Sequence, residues 1–95
     1  MVKKRKIGLT KHSLERIQER LNINESEIQS LVDNAWLFGK TLKYFKGSIK
    51  EYILERLGFE TNGKYRITIY KDIVFIFTAQ NPLLITTYEL PEELK

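Results

Sequence analysis

A chain of 95 residues, 42% hydrophobic and 29% charged, has room for one domain with a single core. It contains no cysteine and one histidine, which excludes disulfides, thiolate metal sites and cysteine nucleophiles and leaves carboxylates to supply most of any zinc site. A formal charge of +4 suits a polyanionic partner such as nucleic acid.

The N-terminal arm, residues 1 to 9, carries Lys3, Lys4, Arg5 and Lys6 without the apolar stretch a signal peptide needs. No run approaches about 18 apolar residues, so the expectation is a cytoplasmic protein without a membrane span. A short extended piece is expected from Ile7 to Leu9. Thr10 is placed to cap a first helix that ends at Asn22, after Leu21. Asn24 followed by Glu27 has the form of a capping box, and Ile23 stands where it can staple onto Ile28. Ile28, Leu31, Val32 and Ala35 then recur at i, i+3, i+4 and i+7, predicting a second helix over 25–38 that stops at Gly39.

Thr41 to Phe45 fits either a short strand or a loop. Ser48 to Glu51 has the form of another capping box, and Ile49, Tyr52, Ile53 and Leu57 keep helical spacing up to Gly58, predicting a short third helix. An extended strand competes for the same residues, because Ile and Tyr also suit strands. From Asn62-Gly63 the period changes to two. Tyr65 to Tyr70, a tight turn at Lys71-Asp72, Ile73 to Thr78, a turn at Gln80 to Pro82, and Leu83 to Leu90 predict a three-stranded antiparallel meander. The unbroken apolar run Ile73 to Phe77 predicts a central strand buried on both faces. Pro91 and the acidic tail, Glu92-Glu93, close the ordered chain. The fold class is α+β: two N-terminal helices and a short third helix packed on the C-terminal meander, in a single domain over 1–95.

Two clusters carry candidate chemistry. At about 100° per residue, His12, Arg16, Glu19 and Arg20 share one side of the first helix, opposite Leu14, Ile17 and Leu21. Imidazole moves protons near neutral pH and arginine holds phosphate oxygens bidentately, so this face suits a phosphodiester. Surface ion pairs among Glu15, Arg16, Glu19 and Arg20 explain the same residues without function. In the meander, Tyr65, Arg66, Thr68, Tyr70, Thr86, Thr87 and Tyr88 would gather hydroxyls and a guanidinium if they shared one sheet face, although Thr and Tyr are ordinary strand residues. Trp36 and Phe38 flank the stripe of the second helix as core or as a partner surface. Lys40, Lys43, Lys46 and Lys50, with Tyr44 and Phe45 among them, suit either a nucleic-acid backbone or a solvated loop. A glycine-rich phosphate loop, a nucleotide fingerprint, a Ser-His-Asp order and an acidic metal loop are all missing from the sequence.

The segment Lys11-His12-Ser-Leu-Glu15-Arg16-Ile-Gln-Glu19-Arg20 resembles the "KHALERMKER" helix that opens many small phage and toxin proteins of the barnase, colicin and RelE-like ribonuclease superfamily. Tyr65-Arg-Ile, Ile73 to Phe77, and Leu84-Ile-Thr86-Thr-Tyr88-Glu-Leu-Pro91 resemble that group's closing meander, whose last strand typically reads "LITVY". The resemblance implies a RelE/barnase-like α+β domain that cleaves RNA, tRNA or mRNA, without metal or cofactor, by transfer to the ribose 2′-hydroxyl. It implies His12 as general acid/base, Arg16 and Arg20 as phosphate ligands, and Thr86 as a hydrogen-bond donor to the phosphate. Tyr88, Arg66 or a lysine such as Lys46 would complete the substrate site. A protein inhibitor or a host protein target are the partners implied besides RNA. The chain departs from the pattern in having no second histidine and in placing Thr87 where a hydrophobic residue is usual. The alternative is a non-catalytic relative that modulates a host factor by binding protein or nucleic acid, and a self-associating module built on the second helix is a third reading.

Overall fold

Reciprocal hydrogen bonds start the first helix: the Thr10 hydroxyl accepts from the Ser13 amide at 3.0 Å, and the Ser13 hydroxyl accepts from the Thr10 amide at 3.0 Å. That box satisfies donors the first turn would otherwise orphan, and it buries Ser13. The computed structural model describes residues 7–41, 44–45, 47–58, 63–80 and 82–94. Helix α1 (Lys11–Leu21) ends at Asn22 in the left-handed region, and α2 (Glu25–Phe38) starts on Asn24, whose side chain accepts from the Glu27 amide at 2.9 Å. The Glu27 carboxylate accepts from the Asn24 side-chain amide at 2.9 Å.

Gly39 ends α2 because nothing larger fits. A Cβ there would stand 2.3 Å from the Ala35 carbonyl and 2.7 Å from the Thr68 Cβ. This contact presses the end of α2 onto the sheet and delivers the chain directly into β2 (Lys40–Thr41). Of the segment Thr41 to Phe45, Thr41 is strand; Leu42 and Lys43 lie outside the described residues, and Tyr44 and Phe45 lie outside any strand.

The third helix forms, with two differences from the expectation. Helix α3 (Gly47–Glu51) already includes Ser48, so Ser48 sits within the first turn rather than capping it, and the chain then widens into a π-helix (Tyr52–Leu57). Gly58, at φ 74°, closes that segment with its amide donating to the Ile53 carbonyl. Apolar spacing does not separate α from π here, since either helix keeps Ile49 and Ile53 on one side.

Strands β3 (Tyr65–Tyr70), β4 (Ile73–Thr78) and β5 (Leu83–Glu89) form the expected meander. Lys71 and Asp72, at φ 52° and 62°, make the two-residue turn whose central residues both take positive φ. The sheet is larger than the meander: its order is β1-β5-β4-β3-β2, with β1 (Gly8–Leu9) pairing parallel to Leu83 and Leu84, and β2 antiparallel to β3. Val74, Phe75, Ile76 and Phe77 of the central β4 are all fully buried.

The alternation of β4 explains the uninterrupted apolar run. Phe75 and Phe77 point to one face, where they pack with Ile17, Ile28, Val32, Ala35 and Leu84 beneath α1 and α2. Val74 and Ile76 point to the other, with Ile49, Ile53, Ile67, Ile69 and Leu90 beneath α3 and the π-helix. The α+β fold is therefore three layers deep. Beyond Pro91, Glu92–Leu94 form a 3-10 turn that brings Leu94 against this second core, so order extends past the expected stop. Among the described residues no helix is long and apolar enough to cross a membrane.

Candidate functional site

Strand β1 covers only the start of β5, at Leu83 and Leu84, so from Ile85 to Glu89 the outer side of β5 has no strand beside it among the described residues. Helix α1 lies along this edge. Its Ile17 is buried in the core, while Arg20 donates from Nη1 to the Thr87 carbonyl at 3.0 Å. The Arg20 guanidinium also lies over the Tyr88 ring, 5.7 Å from its centroid. Arginine thus satisfies an edge carbonyl with one N–H and leaves the others toward solvent.

Arg16 and His12 stand one and two turns before Arg20 on the same side of α1. His12 is exposed and Arg16 half-buried. Of the predicted arginine and histidine face, Arg20 is the residue that touches the β5 edge, at Thr87 and Tyr88. Beyond it, Arg20, Tyr52, Tyr88 and Glu89 line a cleft of ≈ 360 Å³. Tyr52, the first residue of the π-helix, reaches this cleft from the opposite face of the sheet to α1. Glu89 has no hydrogen-bond or ion-pair partner among the described residues.

The meander cluster does not share one sheet face, which corrects that expectation. Antiparallel register pairs Thr86 with Ile76 and Tyr88 with Val74, on the α3 side, whereas Thr87 pairs with Phe75 on the side of α1 and α2. Arg66 and Thr68 pair with Phe77 and Phe75, also on the α1 and α2 side, and Tyr65 packs on the other. Side chains alternate along a strand, so adjacent Thr86 and Thr87 separate to opposite faces. Thr86, 9% exposed, neighbours Tyr88 on the α3 side and stands across the sheet from the helix that carries His12.

Arg66 is not brought to the β5 edge. It donates from Nη2 to the Trp36 carbonyl at 3.3 Å and lies 4.8 Å from the Trp36 ring centroid, while its Nε is buried without a partner. A cation there serves the carbonyl-rich end of α2. Trp36 in turn meets Phe77 edge-on at 5.1 Å, which makes it core, while Phe38 is 68% exposed. Lys46, with Lys43, lies outside the described residues; Lys40 and Lys50 are exposed.

Tyr52 and Glu89 were missed in the sequence reading. Tyr52 falls within the apolar spacing of the third helix and reads as core, and Glu89 reads as the polar end of a strand. Among the described residues no three His, Asp or Glu side chains gather as metal ligands would. No protein-family model, curated protein or solved structure matches the chain at a significant level.

Proposed function

We propose that the protein is a metal-independent endoribonuclease, toxin-like or phage-borne and cytoplasmic, that cleaves tRNA or mRNA through the ribose 2′-hydroxyl. The observation that carries this reading is Arg20, held against Thr87 and Tyr88 at the open edge of β5, on the same side of α1 as His12 and Arg16. His12 takes the 2′-hydroxyl proton as general base, and the oxygen so activated attacks the adjacent phosphorus. Arg16 and Arg20 hold the non-bridging oxygens and stabilise the charge that grows on them. His12, now protonated, returns its proton to the leaving 5′-oxygen, so one imidazole serves both halves of the transfer. Tyr88 offers a ring to the neighbouring base. Thr86 lies on the α3 side of the sheet, across from the helix that carries His12, and takes no part in this transfer.

The test is incubation of purified protein with total RNA and tRNA in EDTA, beside His12→Ala. Cleavage by the wild type and a loss of roughly 10²- to 10⁴-fold in the variant are expected. Intact RNA, or equal cleavage by both, sinks the proposal. A second reading, a non-catalytic modulator that binds a host protein or an inhibitor, draws on the outer side of β5 from Ile85 to Glu89, which has no strand beside it among the described residues and onto which an extended segment can add once Arg20 leaves the Thr87 carbonyl. It expects one stoichiometric partner whose capture survives His12→Ala.

A further inference from the structure

Helix α2 presents a second stripe away from the core. At about 100° per residue, Glu27, Leu31, Asn34 and Phe38 fall within about 60° of one another, clear of the buried Ile28, Val32 and Ala35, and Ser30 and Leu37 border them. At the C-terminal end of the stripe, Phe38 is 68% exposed and Leu37 38% exposed. At the N-terminal end the surface is hollow instead. Leu21, Ile23, Leu31, Tyr70 and Ile73 floor a groove of ≈ 450 Å³ there, with Ser30 and Asn34 on its α2 bank and Lys71 of the β3–β4 turn also lining it. An apolar knob and an apolar hollow thus share one helix face, about two turns apart.

One molecule cannot bring the two together, but a two-fold axis can, because it sets every residue of a patch against another residue of the same patch. If two α2 helices run antiparallel with the axis passing Asn34, Phe38 comes opposite the partner's Ser30 and Leu37 opposite the partner's Leu31. The small serine leaves the space that the phenyl ring fills. Asn34 meets the partner's Asn34, and a side-chain amide carries donors and an acceptor, so two copies of it satisfy each other. Lys71 then faces the last carbonyls of the partner's α2, a helix with no basic residue in its own last turn. A second copy of the chain brings all of these complements at once, whereas a different protein would have to supply each one separately.

We propose that this face of α2 is a homodimer interface: two copies pack their second helices antiparallel, and each inserts Phe38 into the other's groove. None of His12, Arg16 and Arg20 lines that groove, so the inference stands apart from the nuclease reading.

Sedimentation velocity of the full-length protein from about 1 µM to about 1 mM tests the interface. The wild type is expected to pass from monomer to dimer within that range, as a small interface implies. Phe38→Ala removes a side chain that is exposed in the monomer, so it should weaken association at least about 10-fold and leave the unfolding midpoint of dilute protein unchanged. Because the chain has no cysteine, Asn34→Cys reads the position of the axis directly. A disulfide joins two copies only where their Cα atoms at that position come within about 7 Å. Asn34→Cys should therefore crosslink roughly 10-fold faster than Glu15→Cys, an exposed control on α1. A wild-type protein that stays monomeric throughout leaves the groove to a different protein or to solvent and overturns the proposal. A dimer indifferent to Phe38→Ala, or equal crosslinking at positions 34 and 15, overturns it too. His12→Ala dimerises like the wild type under this proposal, so a failed nuclease reading leaves it untouched.

Discussion

Arg66 and Arg20 make the same two kinds of contact in opposite surroundings. Each donates to a main-chain carbonyl, Arg66 to Trp36 and Arg20 to Thr87, and each lies over an aromatic ring, of Trp36 or of Tyr88. Arg66 is the more enclosed of the two: it is half-buried against the end of α2, near where Gly39 is pressed against Thr68, and its Nε is buried without a partner. Around Arg20 the space is open, at a strand edge beside a cleft. The lesson is that contacts alone do not say what an arginine is for. Enclosure decides, because a guanidinium half-buried against a helix end works for the fold, while one anchored at an exposed edge keeps donors for a ligand.

The largest effect expected lies in the closed region. Phe77→Ala removes the ring beneath Trp36 and should cost about 3–5 kcal/mol in denaturant unfolding. A much smaller cost would mean that the region is looser than its burial implies. Gly39→Ala comes next, at about 1–3 kcal/mol, because the added methyl must displace the Ala35 carbonyl or the Thr68 side chain. Arg66→Ala should cost about 1–2 kcal/mol, through the lost carbonyl bond and ring contact, and leave RNA affinity unchanged. If RNA affinity fell with Arg66→Ala at unchanged stability, the division between the two regions would fail.

The smallest effect on stability belongs to Arg20→Ala. Its unfolding midpoint should match the wild type, while the slope of log affinity for RNA against log salt becomes shallower by about one phosphate contact. A lowered midpoint with an unaltered slope would make Arg20 a second structural arginine. That outcome would remove the support for a ligand at the β5 edge.

Much of the fold was legible because its signals are local. Thr10, Asn24 and Gly39 mark helix ends through hydrogen bonds and close contacts within a few residues, and the change from period 3.6 to period 2 near Gly63 separates helices from meander. The run Ile73 to Phe77 announced a strand buried on both faces. What it did not say is which layer covers each face, since both sides of β4 are equally apolar. The parallel strand β1 was also hidden, because two residues carry too little pattern to show their partner at Leu83 and Leu84.

For the candidate site, the sequence by itself determined that His12, Arg16 and Arg20 share one side of a helix, as the geometry of any α-helix requires. It also set Thr86 and Thr87 on opposite faces of their strand, through alternation, though not which face meets α1. Only the tertiary structure decided that the end of α1 meets the open edge of β5, that Arg66 is held against the end of α2, and that Tyr52 and Glu89 meet Arg20 and Tyr88 at one cleft. These are contacts between residues far apart in the chain. They depend on how three layers pack, and a pattern read over a few neighbouring residues carries no record of that packing.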